Sequence, residues 1–248
     1  MRVAFLTTAL ASGALAQWVA QDDRGLKTLK SPADEGITVS YKEPKGVCKT
    51  AFDEQEQYTG WVNVPSPGDV EYETNLFFWF VGAREKTDTL TIWLNGGPGS
   101  SSMYGFWTGA GPCEVVEKGV DKYDTVAREW GWDRASNMLF IDQPNKVGFS
   151  YNKPTNGTRY LLLDQTVSPP DALNDTVGLP TWSILNGTFN DETDAIGEIQ
   201  NPNTTQLAAE AVWHMVQGFL TTMPQFKDKE SMEVNLFAES YGGTYGPI

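Results

Sequence analysis

The run Asn75-Leu-Phe-Phe-Trp-Phe-Val81 is apolar at nearly every position and stops at Gly82. A short, continuously apolar segment closed by a turn residue reads as a strand buried on both faces. Such a strand needs cover above and below it, which restricts the chain to layered sheet architectures.

Further strands are expected over residues 58–64, 89–94, 137–142 and 234–238, the second of which runs straight into Asn95-Gly-Gly-Pro-Gly99. Before the last strand, Thr204 and Thr205 can cap a helix in which Ala208, Ala211, Val212, Met215, Val216, Phe219 and Leu220 recur at helical spacing, until Met223-Pro224 ends it. Strand, helix, strand alternation with near-continuous apolar strands predicts an α/β fold, a mostly parallel sheet with helices on both faces. Residues 17–49 read as an irregular arm. Residues 151–205 show no sustained period and read as a long surface loop of the lid or binding-loop kind.

A chain of 248 residues, 40% hydrophobic and 20% charged, is long and apolar enough for a sizeable core. Met1-Arg2, the apolar run from Val3 to Leu15 and the close Ala14-Leu-Ala16 have the layout of a secretory leader, residues 1–16, with the mature domain at 17–248. No later stretch reaches the roughly 20 apolar residues of a membrane helix. The four Asn-x-Ser/Thr sequons at Asn156, Asn174, Asn186 and Asn203 fit export as glycosylation sites. A secreted or vacuolar destination is expected.

The formal charge of −14 and pI near 4.4 argue against nucleic acid or an anionic membrane as partner. They suit an acidic compartment, where protonation relieves self-repulsion; plain solubility is the alternative. Cys48 and Cys113 can pair, or each can belong to a partner elsewhere. With a single histidine, His214, and no Cys or His cluster, no metal and no cofactor is assigned.

The chemistry converges on Val234-Asn-Leu-Phe-Ala-Glu-Ser-Tyr-Gly-Gly-Thr-Tyr-Gly-Pro247. A nucleophile elbow follows G-x-S-x-G, where small residues around the serine permit a sharp strand-to-helix turn; here Ala238-Glu-Ser-Tyr-Gly242 puts alanine at the first position. Acyl transfer also needs backbone donors for the tetrahedral oxyanion, one after the serine and one from a glycine-rich loop after an earlier strand. Asn95-Gly-Gly97 stands at that loop.

Four ordered segments, Trp93-Leu-Asn-Gly-Gly-Pro-Gly-Ser-Ser-Ser102, Phe140-Ile-Asp-Gln-Pro144, Gly148-Phe-Ser-Tyr151 and Glu239-Ser-Tyr-Gly-Gly-Thr-Tyr-Gly-Pro247, resemble the motifs of the serine carboxypeptidase family. The resemblance runs from about Tyr41 to Ile248. It implies an α/β-hydrolase fold and removal of single residues from peptide C-termini at acid pH, so the expected partners are peptides and proteins with a free C-terminus. It assigns Ser240 as nucleophile, the N–H groups of Gly97 and Tyr241 as oxyanion hole, and Asn95, Gly96 and Glu239, with Trp93 in their network, as the site for the terminal carboxylate. A carboxyl group that binds a carboxylate must carry a proton, or it repels its ligand.

Three departures from the family pattern stand out. Gly109 takes the place of a second glutamate that shares a proton with the one beside the serine, so carboxylate binding is expected to weaken or change its pH range. Asn145 and Lys146 stand where small or apolar residues are usual. No aspartate or histidine follows Ser240 in the remaining eight residues, although the triad order of this fold is Ser, Asp, His. His214 precedes the serine, on the amphipathic helix, and reads as a boundary or surface residue.

The expectation is therefore an N-terminal half of an α/β-hydrolase domain, stopping just after the elbow, nearly inert by itself and with an unpaired strand edge. Two alternatives accompany it: acyl transfer or ester hydrolysis on the same fold, and a non-catalytic remnant that binds in the same cleft.

Overall fold

The computed structural model describes residues 25–65, 74–152, 154–163, 165–167, 178–190 and 204–247. The leader expected at 1–16 and the sequons at Asn174 and Asn203 lie outside them. In chain order the first elements are β1 (Lys27–Lys30), β2 (Thr38–Lys42), β3 (Gln57–Val64), β4 (Thr74–Val81), β5 (Leu90–Leu94), α1 (Met103–Gly105), β6 (Cys113–Gly119), β7 (Lys122–Ala127) and β8 (Asn137–Ile141). There follow β9 (Pro154–Tyr160), β10 (Gln165–Val167), β11 (Ile184–Asn190), α2 (Thr205–Thr222), β12 (Val234–Ala238) and α3 (Gly242–Tyr245). The chain divides into two compact units, one of residues 22–153 and 194–248 and one built on residues 154–193.

The larger unit is a seven-stranded sheet ordered β1-β2-β3-β4-β8-β5-β12. Its pairing corrects the expectation of a mostly parallel sheet. The β8·β5 and β5·β12 pairs are parallel, whereas β1·β2, β2·β3, β3·β4 and β4·β8 are antiparallel, so the sheet is mixed. The strands expected from apolar runs are all present, and every residue of β4 is buried, as its composition requires.

Alternate side chains of β4 serve opposite layers. Leu76, Phe78 and Phe80 join β3, β5 and α2 in one core, while Phe77, Trp79 and Val81 join Met103, Phe106 and Phe140 in the other. α2 covers the first face with Ala208, Ala211, Met215, Val216 and Phe219, the ring of Phe219 standing edge-on to Phe78 at 5.0 Å. Phe219 is fully buried, and truncating such a ring to alanine costs about 3–5 kcal/mol. Thr204 caps the helix by accepting from the Leu207 N–H at 3.2 Å, and Met223, held extended before Pro224, ends it. His214 is exposed on α2. The second face is covered by α1 and the π-helical turn Phe106–Ala110 that continues it.

The arm expected to be irregular contains β1 and β2, with Val39 and Tyr41 of β2 directed into the core. Cys48 and Cys113 form a disulfide with their Cα atoms 5.7 Å apart, tying this arm to the β6–β7 hairpin.

The smaller unit, which read as loop, is a three-stranded antiparallel sheet ordered β10-β9-β11. In it the sequons starting at Asn156 and Asn186 cross at the Gly157↔Gly187 pair, and Thr158 Oγ1 donates to Asn186 Oδ1 at 2.8 Å. Both asparagines are exposed.

Candidate active site

The site lies where two neighbouring parallel strands end. Leu94, the last residue of β5, pairs with Ala238, the last of β12, so Asn95 and Glu239 leave the sheet side by side. The Glu239 N–H donates to Leu94 O at 3.0 Å and prolongs the ladder by one bond. Asn95 Nδ2 then donates to Glu239 Oε2 at 2.9 Å. Asn95 Oδ1 accepts from Trp93 Nε1 at 2.8 Å and from the Gly105 N–H at 3.1 Å, which fixes the amide's orientation. The indole of Trp93 stands edge-on to Trp132 at 5.0 Å.

Ser240 follows at φ +57°, in the left-handed region, with no glycine to relieve the crowding of its Cβ. Strain of this sort at a strand-to-helix turn holds the hydroxyl out at the apex. The Gly242 N–H closes the turn on Glu239 O at 2.8 Å, the Gly243 N–H bonds Ser240 O at 3.0 Å, and α3 begins. Ser240 and Glu239 are both exposed.

The glycine-rich loop presses against this turn. A Cβ on Gly96 would lie 2.3 Å from Tyr241 N, 2.7 Å from Glu239 O and 2.8 Å from Gly242 N. Only glycine permits the two backbones to come so close. Gly97 is held at φ +110° in a turn closed by the Ser100 N–H on Gly96 O at 2.9 Å. Thus Trp93, Asn95, Gly96, Glu239, Ser240 and Tyr241 are brought together, with Gly97 in the loop packed on the elbow. The Tyr241 hydroxyl pairs with Thr205 Oγ1 at 3.0 Å, which anchors the residue after the serine to the start of α2.

The motif segments matched in sequence also contain a supporting layer. Asp142, at the end of β8, is fully buried and accepts from Ser101 Oγ at 2.6 Å, the Ser102 N–H at 2.8 Å and the Phe149 N–H at 2.9 Å. Burial raises its carboxyl above the ordinary aspartate range, against the opposing pull of these hydrogen bonds. Ser102 Oγ accepts the Asn95 N–H at 3.0 Å, and Gln143 Nε2 donates to Asn95 O at 3.3 Å. Neither Asp142 nor Ser102 stood out as a site residue in the sequence, although both lie inside recognisable segments. Burial also raises the Tyr245 phenol, with the Gly99 N–H acting in the opposite sense.

Among the described residues β12, which leads into the serine, is one of the two outer strands of the sheet. Val234, Leu236 and Phe237 are 44–47% exposed there. Gly109 sits in the π-helical turn with nothing within 4 Å of where its Cβ would be.

A profile described as serine carboxypeptidase matches residues 46–248. The chain belongs to the serine carboxypeptidase family. It is 40% identical to Carboxypeptidase S1 homolog A of Trichophyton rubrum over 237 residues, covering 90% of this chain and 34% of that protein. It is 36% identical to a Carboxypeptidase Y homolog of Arthroderma benhamiae over 234 residues, 90% of this chain and 35% of the relative. Carboxypeptidase S1 of Penicillium janthinellum is 31% identical over 204 residues, 82% of this chain and 34% of the relative. The serine carboxypeptidase chain described here therefore spans about a third of the length of the relatives it matches. Its mixed seven-stranded sheet fits the N-terminal part of an α/β-hydrolase carboxypeptidase.

Proposed function

We propose that the polypeptide carrying this chain removes single residues from the C-termini of peptides, through an acyl-enzyme on Ser240. The observation that supports this reading most is the contact of Asn95 Nδ2 with Glu239 Oε2, immediately beside a serine at positive φ. Ser240 Oγ attacks the scissile carbonyl carbon, the new C–O bond forms, and the carbonyl oxygen takes up negative charge facing the N–H groups of Gly97 and Tyr241. Collapse breaks the C–N bond, the proton lost by Ser240 Oγ passes through a general base to the departing amine, and the C-terminal residue is released; water then attacks the ester, the C–O bond to Ser240 breaks, and its Oγ regains a proton. Asn95, Gly96 and Glu239 hold the terminal carboxylate, with Trp93 steadying Asn95. Work at acid pH, which the family resemblance implies, is part of the proposal.

The serine needs a general base, and no histidine or aspartate follows it in these 248 residues. The test is a serine-directed phosphonate: the polypeptide that includes a following aspartate and histidine is expected to be labelled at Ser240, and the Ser240→Ala variant to escape. Labelling elsewhere, with Ser240 untouched, overturns the assignment.

Gly109 favours a second reading. The place where the family carries another glutamate is open, so the carboxylate site has one acid instead of two. Acyl transfer or ester hydrolysis on the same serine demands less of that site.

A secretory route to the vacuole or the exterior is part of the proposal, supported by the leader-like residues 1–16 and the four sequons. Among the described residues no helix is long and apolar enough to cross a membrane. Leader cleavage near Gln17 and a mass loss on glycosidase treatment are the expected results in a secreting host.

A further inference from the structure

We infer that Asp142 is a positioning residue for the oxyanion loop, acting through Ser101 and Ser102 on the backbone from Asn95 to Ser100.

Two features of the geometry carry this. The first is the reach of the carboxylate. Its Oδ1 accepts from Ser101 Oγ and the Ser102 N–H, at 2.6 and 2.8 Å, and its Oδ2 accepts the Phe149 N–H at 2.9 Å. One buried side chain thereby joins the C-terminal end of the glycine-rich loop to the segment after β8. Gly148 is shaped around it, at φ +57° with a Cβ position only 2.0 Å from Asp142 Oδ2. An anion accepting several short hydrogen bonds in a water-excluded position holds its donors more firmly than neutral pairs do.

The second feature is what those donors hold in turn. Ser102 Oγ donates to Ile141 O and accepts the Asn95 N–H at 3.0 Å. The Asn95 carbonyl is bonded by Gln143, the residue after Asp142, at 3.3 Å. Both backbone polar groups of Asn95 are therefore fixed from the end of β8, while its side chain faces Trp93 and Glu239. Gly96 and Gly97 follow without side chains of their own, so their placement against Tyr241 depends on these two anchored ends. A displaced donor matters because oxyanion stabilisation requires N–H groups preorganised at the developing charge.

The catalytic part of the inference rests on the proposed role of Ser240; the structural part does not, and the experiment separates them. Amide hydrogen exchange is followed in this 248-residue chain for Asp142→Asn, Ser101→Ala and, as a control at the opposite end of β5 and β8, Ser136→Ala. Ser101→Ala removes two bonds of a partly exposed side chain, the one donated to Asp142 Oδ1 and the one accepted from the Met103 N–H, and keeps the test open if Asp142→Asn does not fold. Exchange at Asn95 and Ser100 is expected to rise at least about tenfold relative to Phe80 and Leu139 in both loop variants. In Ser136→Ala the ratio is expected to stay at its wild-type value.

In the polypeptide that contains a following aspartate and histidine, kcat on a free-acid peptide is expected to fall for the same two variants, roughly tenfold for Ser101→Ala and a hundredfold for Asp142→Asn, with KM within about threefold. Unchanged exchange ratios in the loop variants overturn the inference whatever the kinetics. Altered exchange with kcat unchanged overturns its catalytic part. No cleavage by the wild-type polypeptide counts against the peptidase reading and leaves the exchange result to decide whether Asp142 sets the loop.

Discussion

Asn95 and Glu239, separated by 144 positions in sequence, are joined by a 2.9 Å hydrogen bond because they are the first residues beyond the paired ends of β5 and β12. Strand register therefore decides the spacing of the pair proposed to bind a carboxylate, and the serine that follows Glu239 inherits that placement. A one-residue slip of β12 would turn its side chains to the opposite face and take the pair apart.

Gly96 tests how closely the loop and the elbow must approach. In Gly96→Ala the new methyl would meet backbone atoms of Tyr241, Glu239 and Gly242 that cannot rotate away. A loss of about 1–3 kcal/mol in urea unfolding is expected, together with a drop in kcat of about a hundredfold as the N–H groups separate.

Ser240 tests the strain at the apex. Replacement by glycine removes a Cβ from the left-handed region at φ +57°. Relief of roughly 1–2 kcal/mol outweighs the added chain entropy of glycine in the unfolded state. Ser240→Gly is thus expected to raise the urea midpoint while abolishing acylation, and a lowered midpoint would show that the serine conformation is unstrained.

Asp142 gives the pH dependence. Burial raises its carboxyl above the ordinary value of 3.8, so the folded chain binds this proton more tightly than the unfolded chain. Stability contributed at Asp142 then falls as pH rises from that ordinary value through the raised folded one, and it is recovered on acidification. Urea titrations at several pH values are expected to show the wild type gaining on Asp142→Asn as pH falls through that window. The opposite slope would mean that the hydrogen bonds from Ser101, Ser102 and Phe149 outweigh desolvation.

The main layout of the larger unit was legible because β3, β4, β5, β8 and β12 are marked by apolar runs and α2 by its period and its Thr204 cap. β1 was not, since all four of its residues are exposed and only pairing with β2 makes it a strand. β2 carries just Val39 and Tyr41 among polar neighbours, too little pattern to separate it from an arm. The β6–β7 hairpin and the β9–β11 sheet are largely polar and depend on cross-strand bonds that no local periodicity announces. At the site, residue types and motif order pointed to Ser240, Asn95 and Glu239. The part played by Asp142 depends on partners 40 residues upstream and could be read only from their juxtaposition.

The Cys48–Cys113 bridge closes a span of 65 residues and fastens the arm to the hairpin. Loss of that constraint on the unfolded chain is expected to cost about 2–4 kcal/mol in the double Cys→Ser variant, read as a lower urea midpoint. An unchanged midpoint would show that β2 and the hairpin are held by packing alone.

The central claim is that Asn95 and Glu239 read a terminal carboxylate for the serine beside them. It is tested most directly by timing cleavage of one peptide as its free acid and as its C-terminal amide, by the polypeptide in which this chain is followed by an aspartate and a histidine. The free acid is expected to be preferred by roughly a hundredfold or more in kcat/KM at mildly acid pH, with the preference collapsing in Glu239→Ala. Equal cleavage of the two peptides would contradict the claim and leave acyl transfer or ester hydrolysis as the chemistry of Ser240.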